Sequence, residues 1–368
     1  MEAGASTAVS DREGLTPLHY ASRNGQIEAL SVLVDGSTSE TLAQKATRSG
    51  LTYADMDAGA YSRVRPWKPS VQAEDRGGWG TAGGEAEELK INVCSLTEIA
   101  KEDFNPQIFA EHISALKPFI VRGLGREWKM RESWRRERFL HTHGDLKFKT
   151  GAIGYASMLG WEMPEMSLRE YVAYMDQPVT AGKYNRTIAQ QGYPGVPLYI
   201  FHNDVTNTHP TLAADFDDFD VLETVSKWAG LSAGSDSGKT AVQFYFGPVN
   251  SGAQPHTHSH AWNMLAWGSK LWYFWPPADS FYTTTPVRPY VDRVINNKTA
   301  REHEGVADPI TCTQEAGDFV YVPQMWGHSA VNLETTIGVA VGFRDIFTST
   351  VIPTANRKCP GHKSFGGL

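Results

Sequence analysis

Short apolar runs, separated by glycine, proline and polar residues, dominate the second half of the chain. They cover residues 198–201, 242–246, 264–267, 271–274, 319–322 and 336–343. Runs of this length are typical of β-strands, and a series of them with turn residues between favours a sandwich or barrel. The pattern therefore predicts a mainly β domain over residues 94–348.

Helical spacing of apolar residues appears at two places before these strands. Residues 104–116 and 166–175 carry it, and Ser167 stands where a helix N-cap is expected. Residues 91–93 and 118–123 have the composition of short strands. The predicted domain is thus mainly β with a few helices.

The first 57 residues follow the pattern of a helical hairpin. Residues 14–21 read Gly-Leu-Thr-Pro-Leu-His-Tyr-Ala, and residues 50–56 begin in a similar way. This resembles the ankyrin repeat, whose period is about 33 residues and whose first helix starts with Thr-Pro-Leu-His. Fewer than about three repeats rarely stand alone. We therefore expect an ankyrin-like module at residues 1–57 that packs on the main domain or is partly mobile. It is either a partner-binding arm or a capping pair.

Two stretches lack a clear apolar pattern. Residues 58–93 contain a cluster of glycines at 77–84, followed by an acidic run at 85–88. We interpret them as a flexible, solvated linker. Residues 349–368 are predicted to be a loose polar tail.

Composition and charge narrow the functional classes. The 368 residues are 41% hydrophobic and 20% charged, with a net charge of -7, the profile of a globular protein. An acidic balance argues against general nucleic-acid binding. No stretch approaches the roughly 18 apolar residues of a membrane helix, and the N-terminus lacks the apolar core of a secretory signal.

The cysteines point to a reducing environment. Cys94, Cys312 and Cys359 are far apart and form no Cys-x-x-Cys pair, which excludes a zinc ribbon and predicts no disulfide framework. The expected location is therefore the cytoplasm or the nucleus. The glycosylation patterns at Asn185 and Asn297 are interpreted as chance matches.

A histidine cluster is the main sign of chemistry. His256, His258 and His260 fall within five residues. Because side chains at i and i+2 of a strand point the same way, His256 and His258 can aim two imidazoles at one point. A third ligand must come from a distant strand. His328 is the best candidate, since it follows a predicted strand and a turn containing proline.

The ordered motifs resemble the jumonji-C branch of the cupin-type Fe(II)/2-oxoglutarate oxygenases over residues 94–346. Members carry His-x-Asp/Glu, then Gly-x-Lys, then a distant His after Gly-Asp…Pro-x-x-Trp-x-His. The corresponding segments here are residues 256–258, 268–270 and 317–328. A small subgroup also shows His-x-His, a preceding Ser-Gly and an upstream Arg-Gly-Gly-Trp, which here are residues 251–252 and 76–79.

This resemblance implies a fold, cofactors and a site. The fold is a double-stranded β-helix of the cupin or jelly-roll type, and the cofactors are Fe(II), 2-oxoglutarate and O2. The implied metal ligands, which are also the catalytic residues, are His256, His258 and His328. Lys270 is implied to pair with the far carboxylate of 2-oxoglutarate. The implied pocket residues are Asn263, Tyr245 and Asn332.

The sequence departs from the family at two positions. His258 stands where most active members have a carboxylate, and Ala253 stands where a threonine often binds the co-substrate. A three-histidine site also occurs in cupins that bind iron, copper, nickel or zinc without 2-oxoglutarate. His260 adds an alternative, because it can be an outer partner of the metal site or a replacement ligand.

The leading functional hypothesis is a 2-oxoglutarate-dependent hydroxylase of a protein side chain or another macromolecule. Two alternatives remain. One is a weakly active or inactive scaffold that binds a protein through its ankyrin-like arm. The other is a three-histidine oxygenase that binds its substrate directly on the metal.

Overall fold

The computed structural model describes most of the predicted β domain and parts of the N-terminal region. The described residues are 6–12, 14–46, 51–56, 65–66, 75–80, 89, 93–154, 156, 160–161, 163–176, 195–216 and 241–343. The predicted polar tail at 349–368 lies outside them.

The helices are mostly short and lie before and between the strands. The α-helices are α1 (Pro17–Arg23), α2 (Ile27–Asp35), α3 (Ser39–Leu42), α4 (Pro106–Ala115), α5 (Lys129–Ser133), α6 (Arg136–His143), α7 (Leu168–Met175), α8 (Val205–Thr208), α9 (Pro210–Ala213), α10 (Val287–Tyr290) and α11 (Lys298–Glu304). The described residues also include the 3₁₀ turns Ala214–Phe216 and Pro277–Asp279 and the π-helix Val291–Ile295. None of the described helices is long and apolar enough to cross a membrane.

The strands build two main sheets. They are β1 (Arg65–Pro66), β2 (Val93–Cys94), β3 (Thr97–Ala100), β4 (Phe119–Arg122), β5 (Lys147–Gly151), β6 (Glu165–Ser167), β7 (Tyr199–His202), β8 (Ala241–Gly247), β9 (Gly252–His256), β10 (His260–Trp267), β11 (Ser269–Trp275), β12 (Ile310–Glu315), β13 (Phe319–Val322), β14 (Gly327–Asn332) and β15 (Thr336–Phe343). The large sheet has the order β3-β4-β13-β10-β15-β8-β7-β5-β6, and the small sheet has the order β12-β11-β14-β9.

Strands β8 to β15 form a double-stranded β-helix, which confirms the predicted fold class. The chain passes repeatedly between the two sheets, so that β8, β10, β13 and β15 lie in one and β9, β11, β12 and β14 in the other. Strands β13 and β15 begin and end where the apolar runs predicted. The predicted N-cap of α7 is also confirmed, because Ser167 and Glu170 form a reciprocal capping box.

Alternation along β10 separates the helix-facing side of the large sheet from the barrel interior. Trp262 and Met264 pack in the large aromatic cluster that contains residues of the helices, such as Phe109 of α4. Ala261 packs in a second cluster with residues of the small sheet. Asn263 has the parity of Ala261 and therefore faces the interior.

The solvated-linker interpretation is wrong for residues 75–80. Trp79 is only 3% exposed, and its Nε1 donates a hydrogen bond to the Trp134 carbonyl at 2.8 Å. Gly77 has a φ of +63°, and a Cβ there would lie 2.5 Å from the Trp267 ring. This segment is docked on the large sheet, because burying a tryptophan outweighs the flexibility of the glycines beside it.

The prediction that the cysteines form no disulfide is wrong for Cys94 and Cys312. They are disulfide-bonded, with Cα atoms 4.1 Å apart and a sequence separation of 218. The Ser95 N–H donates to the Thr311 carbonyl at 2.8 Å, which places β2 beside β12. Structural disulfides are typical of oxidising compartments, so the cysteines no longer support a reducing one.

The N-terminal module packs on the main domain. Leu15, Ala46 and Met56 form a small cluster with Ala115 at the end of α4. At the start of α1, Thr16 and His19 cap the helix reciprocally, and His19 Nε2 lies 3.2 Å from the Leu51 carbonyl. Helix α2, in contrast, contains no buried residue. The ankyrin-like character and the partner-binding role stay predictions.

Candidate metal centre

Three histidines converge at the end of the small sheet. His256 ends β9, and His328 is its direct partner in β14. The His328 ring centroid lies 4.3 Å from that of His256 and 4.5 Å from that of His258. One ring nitrogen from each of the three lies within 4.8 Å of the others. The geometry therefore brings together the three residues that the sequence singled out.

Hydrogen bonds to the backbone decide which nitrogen of each ring can bind a metal. The Nδ1 atoms of His256, His258 and His328 lie 2.6, 2.5 and 3.0 Å from the carbonyl oxygens of residues 254, 259 and 326. A carbonyl only accepts, so each Nδ1 carries the proton and donates. Each Nε2 then holds the lone pair that a metal needs.

Burial keeps these imidazoles neutral. Desolvation lowers the pKa of His256 to about 3, and it lowers the pKa values of His258 and His328 from the ordinary value as well. His256 and His328 are buried, whereas His258 is half-buried. Neutral imidazole is the form that coordinates metals, so no proton has to be displaced near neutral pH.

His260 does not belong to this group. It stacks on Tyr321 and Phe343, and its Nδ1 lies 2.8 Å from the Tyr321 hydroxyl. Strand β9 ends at His256 and β10 begins at His260, so a turn interrupts the alternation between them. His260 therefore faces the outer side of the large sheet and is excluded as an alternative ligand.

Lys270 places an amine deep in the barrel on the same face as His328. In the β11–β14 ladder, Lys270 pairs with Asn332 and Phe274 pairs with His328. Lys270 is 2% exposed, and its Nζ lies 3.5 Å from the Tyr245 ring centroid and 3.3 Å from the Tyr199 hydroxyl. Desolvation lowers its pKa well below the ordinary value. Within the described part of the chain, no carboxylate pairs with it.

Tyr245 and Asn263 form a hydrogen-bonded pair beside this amine. The Tyr245 hydroxyl lies 2.7 Å from both Asn263 Oδ1 and the Met264 carbonyl. Because Oδ1 accepts from Tyr245, the Asn263 amide N–H groups are the ones left to donate to a ligand. Tyr245 thus contacts Lys270 with its ring and orients Asn263 with its hydroxyl.

Asn332 is held by the turn that precedes β9. Its Nδ2 donates to Ser251 Oγ at 2.9 Å, while its Oδ1 is buried and has no hydrogen-bond partner among the described residues. Ala253 lies opposite Ala330 in the β9–β14 ladder and is half-buried. The side chain at position 253 is therefore a methyl group, which can form no hydrogen bond.

Tyr199 escaped the sequence analysis. Its hydroxyl lies 3.3 Å from the Lys270 Nζ, although the two residues have a sequence separation of 71. The apolar run at 198–201 predicted a strand, but nothing in its composition distinguishes Tyr199 from an ordinary core aromatic. Asp318 fixes a turn, because its carboxylate accepts from the backbone N–H groups of Gly123 and Glu315.

The arrangement has the properties of a metal site beside an anion site. Three neutral imidazoles can hold one side of a metal ion and leave its other positions open to ligands. A buried amine without a counter-charge favours a carboxylate, since the pair can form a charge-assisted hydrogen bond.

Comparisons with known proteins agree with this description. Residues 105–349 match the Cupin-like domain family. The chain is 24% identical to JmjC domain-containing protein 8 of Mus musculus over 279 residues, which are 73% of this chain and 90% of that protein. This is the subgroup that the His-x-His and Arg-Gly-Gly-Trp motifs indicated.

Two further relatives are enzymes by name. The lysine-specific demethylase JMJ21 of Arabidopsis thaliana is 25% identical over 260 residues, 64% of this chain and 24% of that protein. The bifunctional arginine demethylase and lysyl-hydroxylase psr-1 of Caenorhabditis elegans is 23% identical over 309 residues, 76% of this chain and 70% of that protein. The match thus spans about a quarter of the plant protein.

Proposed function

Because the chain belongs to the cupin-like domain family, in its jumonji-C branch, we propose that it is an Fe(II)- and 2-oxoglutarate-dependent oxygenase. The substrate is a protein side chain or another macromolecule, and the reaction is hydroxylation. One observation carries the proposal: the Lys270 amine is buried in the same barrel interior as the three histidines, and no carboxylate of the described residues pairs with it.

The donor set fits an iron ion. His256, His258 and His328 present Nε2 lone pairs, and the backbone carbonyls fix their tautomers. When bound there, iron supplies the activation of O2 that hydroxylation of a C–H bond requires. The protein supplies the orientation of the ligands and a largely buried surrounding that excludes bulk water.

The residues around Lys270 fit 2-oxoglutarate. Lys270 pairs with its far carboxylate, and the Tyr199 hydroxyl gives that carboxylate a second donor. Asn263, oriented by Tyr245, donates to the co-substrate from β10. The favourable pairing restores the charge of Lys270, whose burial is otherwise unfavourable.

Relatives support a macromolecular substrate. The plant protein is named a lysine-specific demethylase, and the nematode protein is named an arginine demethylase and lysyl-hydroxylase. Both names describe reactions on residues of proteins. A hydroxylase that acts on a protein side chain is therefore the proposal for this chain.

A second candidate function rests on His258. Because an imidazole stands where most family members have a carboxylate, the centre can also work as a three-histidine oxygenase that binds its substrate on the metal without 2-oxoglutarate. Lys270 argues against it unless that substrate carries a carboxylate. A scaffold role is the remaining alternative.

The deciding experiment needs no substrate. Fe(II) and then 2-oxoglutarate are added to the chain without oxygen, and the visible charge-transfer band of the chelated complex is recorded. We expect a band that is lost in His256→Ala and weakened in Lys270→Met. Bound iron without a band supports the three-histidine alternative, and the absence of iron binding supports the scaffold.

A further inference from the structure

The pocket around the three imidazoles contains neutral and basic groups but no acidic one in the described part of the chain. The possible metal group consists of His256, His258 and His328 alone. Asp318 is the one buried carboxylate of the described residues. It accepts hydrogen bonds from Arg122 and from backbone N–H groups. The described residues of the site therefore offer no fixed negative charge to a cationic ligand.

With a divalent metal, a protonated Lys270 and a bound co-substrate, the site carries one uncompensated positive charge. A divalent metal and a protonated Lys270 bring three positive charges, of which a dianionic co-substrate neutralises two. Three neutral imidazoles neutralise none, whereas a carboxylate at position 258 would neutralise the third. A buried charge without compensation is unfavourable and attracts a counter-charge.

Position 258, where a carboxylate would supply the third negative charge, is on the solvent-accessible side of the centre. His258 is the half-buried ligand, while His256 and His328 are buried. The N–H of Met325 donates to the His258 carbonyl at 3.0 Å, which ties the backbone of this ligand to the turn before β14. A substrate that enters from solvent therefore meets His258, and at this position it meets a neutral imidazole.

We infer that the substrate carries an anionic group, most simply a carboxylate, close to the atom that reacts. This inference rests on the proposed function and deepens it by naming the charge class of the substrate. His258 is then a specificity-determining residue, because a carboxylate in its place would repel an acidic substrate and attract a cationic one.

Three probes of nearly equal size and shape test the inference. Acetate, acetamide and acetamidinium are planar and differ mainly in charge. Each is titrated into the Co(II)-loaded chain saturated with 2-oxoglutarate, without oxygen, in a chloride-free buffer of constant ionic strength. The visible bands of Co(II) report binding at or beside the metal.

The expected order of affinity is acetate, then acetamide, then acetamidinium, with roughly tenfold or more between the first and the last. In His258→Asp the acetate affinity falls by roughly tenfold and the preference for acetate over acetamidinium is lost. Equal affinities in the native chain, or an unchanged ratio in His258→Asp, overturn the inference.

A second pair of variants keeps all three imidazoles. Ser259→Asp adds a negative charge next to His258, and Ser259→Asn has nearly the same size without the charge. Acetate affinity should fall a few-fold in Ser259→Asp and stay unchanged in Ser259→Asn. If His258→Asp does not bind cobalt, the Ser259 variants become the test of the inference. Equal acetate affinities in Ser259→Asp and Ser259→Asn would then overturn it.

Binding of 2-oxoglutarate is measured first, so that the two proposals fail separately. If it does not bind, the proposed function is wrong, and the probes are titrated into the Co(II) chain alone, where the same order is expected. If it binds and the probes show no preference for negative charge, only the inference about the substrate is wrong.

Discussion

The half-buried Arg122 and the buried Lys270 have opposite electrostatic surroundings. Arg122, at the end of β4, forms ion pairs with Glu98 at 2.7 Å and Asp318 at 2.6 Å, and it donates to the Thr313 carbonyl at 2.9 Å. Burial opposes its charge, but the two carboxylates outweigh burial and raise its pKa. For Lys270, burial acts without such compensation and lowers the pKa.

The difference indicates that Arg122 has a structural role, whereas Lys270 is suited to binding an anionic ligand. Arg122 joins β3, β4 and the turn before β13, and its charge is compensated within the protein. Lys270 has two tyrosines around it and no carboxylate in the described part of the chain. A buried charge that the fold leaves uncompensated is unfavourable for stability, so its place in the same barrel interior as the three histidines favours a function.

The largest expected effect is a loss of metal affinity on removal of one of the three histidines. His256→Ala should reduce Co(II) affinity on the order of 100-fold or more, because it removes one of three nitrogen ligands. The matched control is His260→Phe, which keeps the stacking on Tyr321 and should leave metal affinity unchanged. Titration of Co(II) by visible absorption measures both. An equal loss of Co(II) affinity in the two variants would contradict the proposed metal site. It would also remove the reason for treating Lys270 differently from Arg122.

Removing a charge should affect the two regions in opposite directions. Asp318→Asn should lower the free energy of unfolding by about 2 to 3 kcal/mol, because it leaves the Arg122 charge less compensated. Lys270→Met should leave it unchanged or raise it by about 1 kcal/mol, because it removes an uncompensated buried amine. Urea unfolding of the metal-free chains measures both. A loss in Lys270→Met as large as in Asp318→Asn would end the comparison.

The depressed pKa of Lys270 predicts a pH dependence of co-substrate binding. In the free site the amine is neutral above its lowered pKa, and a bound carboxylate raises that pKa again, so binding takes up a proton. The affinity for 2-oxoglutarate should therefore fall as pH rises between the two pKa values, by at most about tenfold per pH unit.

Calorimetry of the Co(II)-loaded chain, in buffers with different ionisation enthalpies, counts this proton. Lys270→Met serves as the control, because a thioether does not titrate and its weaker binding should be independent of pH in this range. A native chain that takes up no proton would show that Lys270 is already charged in the free site, as Arg122 is.

The smallest expected effect is a gain in 2-oxoglutarate affinity when a hydroxyl is introduced at position 253. Ala253→Thr should tighten 2-oxoglutarate binding by roughly three- to tenfold, the effect of one added hydrogen bond of about 1 kcal/mol. Ala253→Val has the same shape without the hydroxyl and should not tighten binding. If valine improves the affinity as much as threonine does, the gain comes from packing and not from a hydrogen bond.

Local patterns predicted several strands and the convergence of three histidines. The run at 319–322 became β13 without a change of bounds, because a short apolar run between turn residues has few other stable conformations. His256 and His258 do converge, although β9 already ends at His256. The alternation argument could not place His260, since a turn between two strands resets which face a residue occupies.

Contacts between distant segments could not be derived in this way. The docking of Trp79 on Trp134, the disulfide between Cys94 and Cys312, and the approach of Tyr199 to Lys270 each join residues from different elements. Glycines around Trp79 suggested flexibility, and cysteines far apart suggested free thiols. Both interpretations failed for the same reason, because sequence distance says little about distance in the fold.

By itself, the amino-acid sequence determined the β-helix, the three candidate ligands and the lysine, because each depends on a short periodic pattern or on motifs in a recognisable order. Only the tertiary structure decided that Lys270 has no carboxylate partner among the described residues while Arg122 is paired, and that the ring nitrogens of the three imidazoles meet. The electrostatics of a buried group depends on every element packed around it, and those elements come from all parts of the chain.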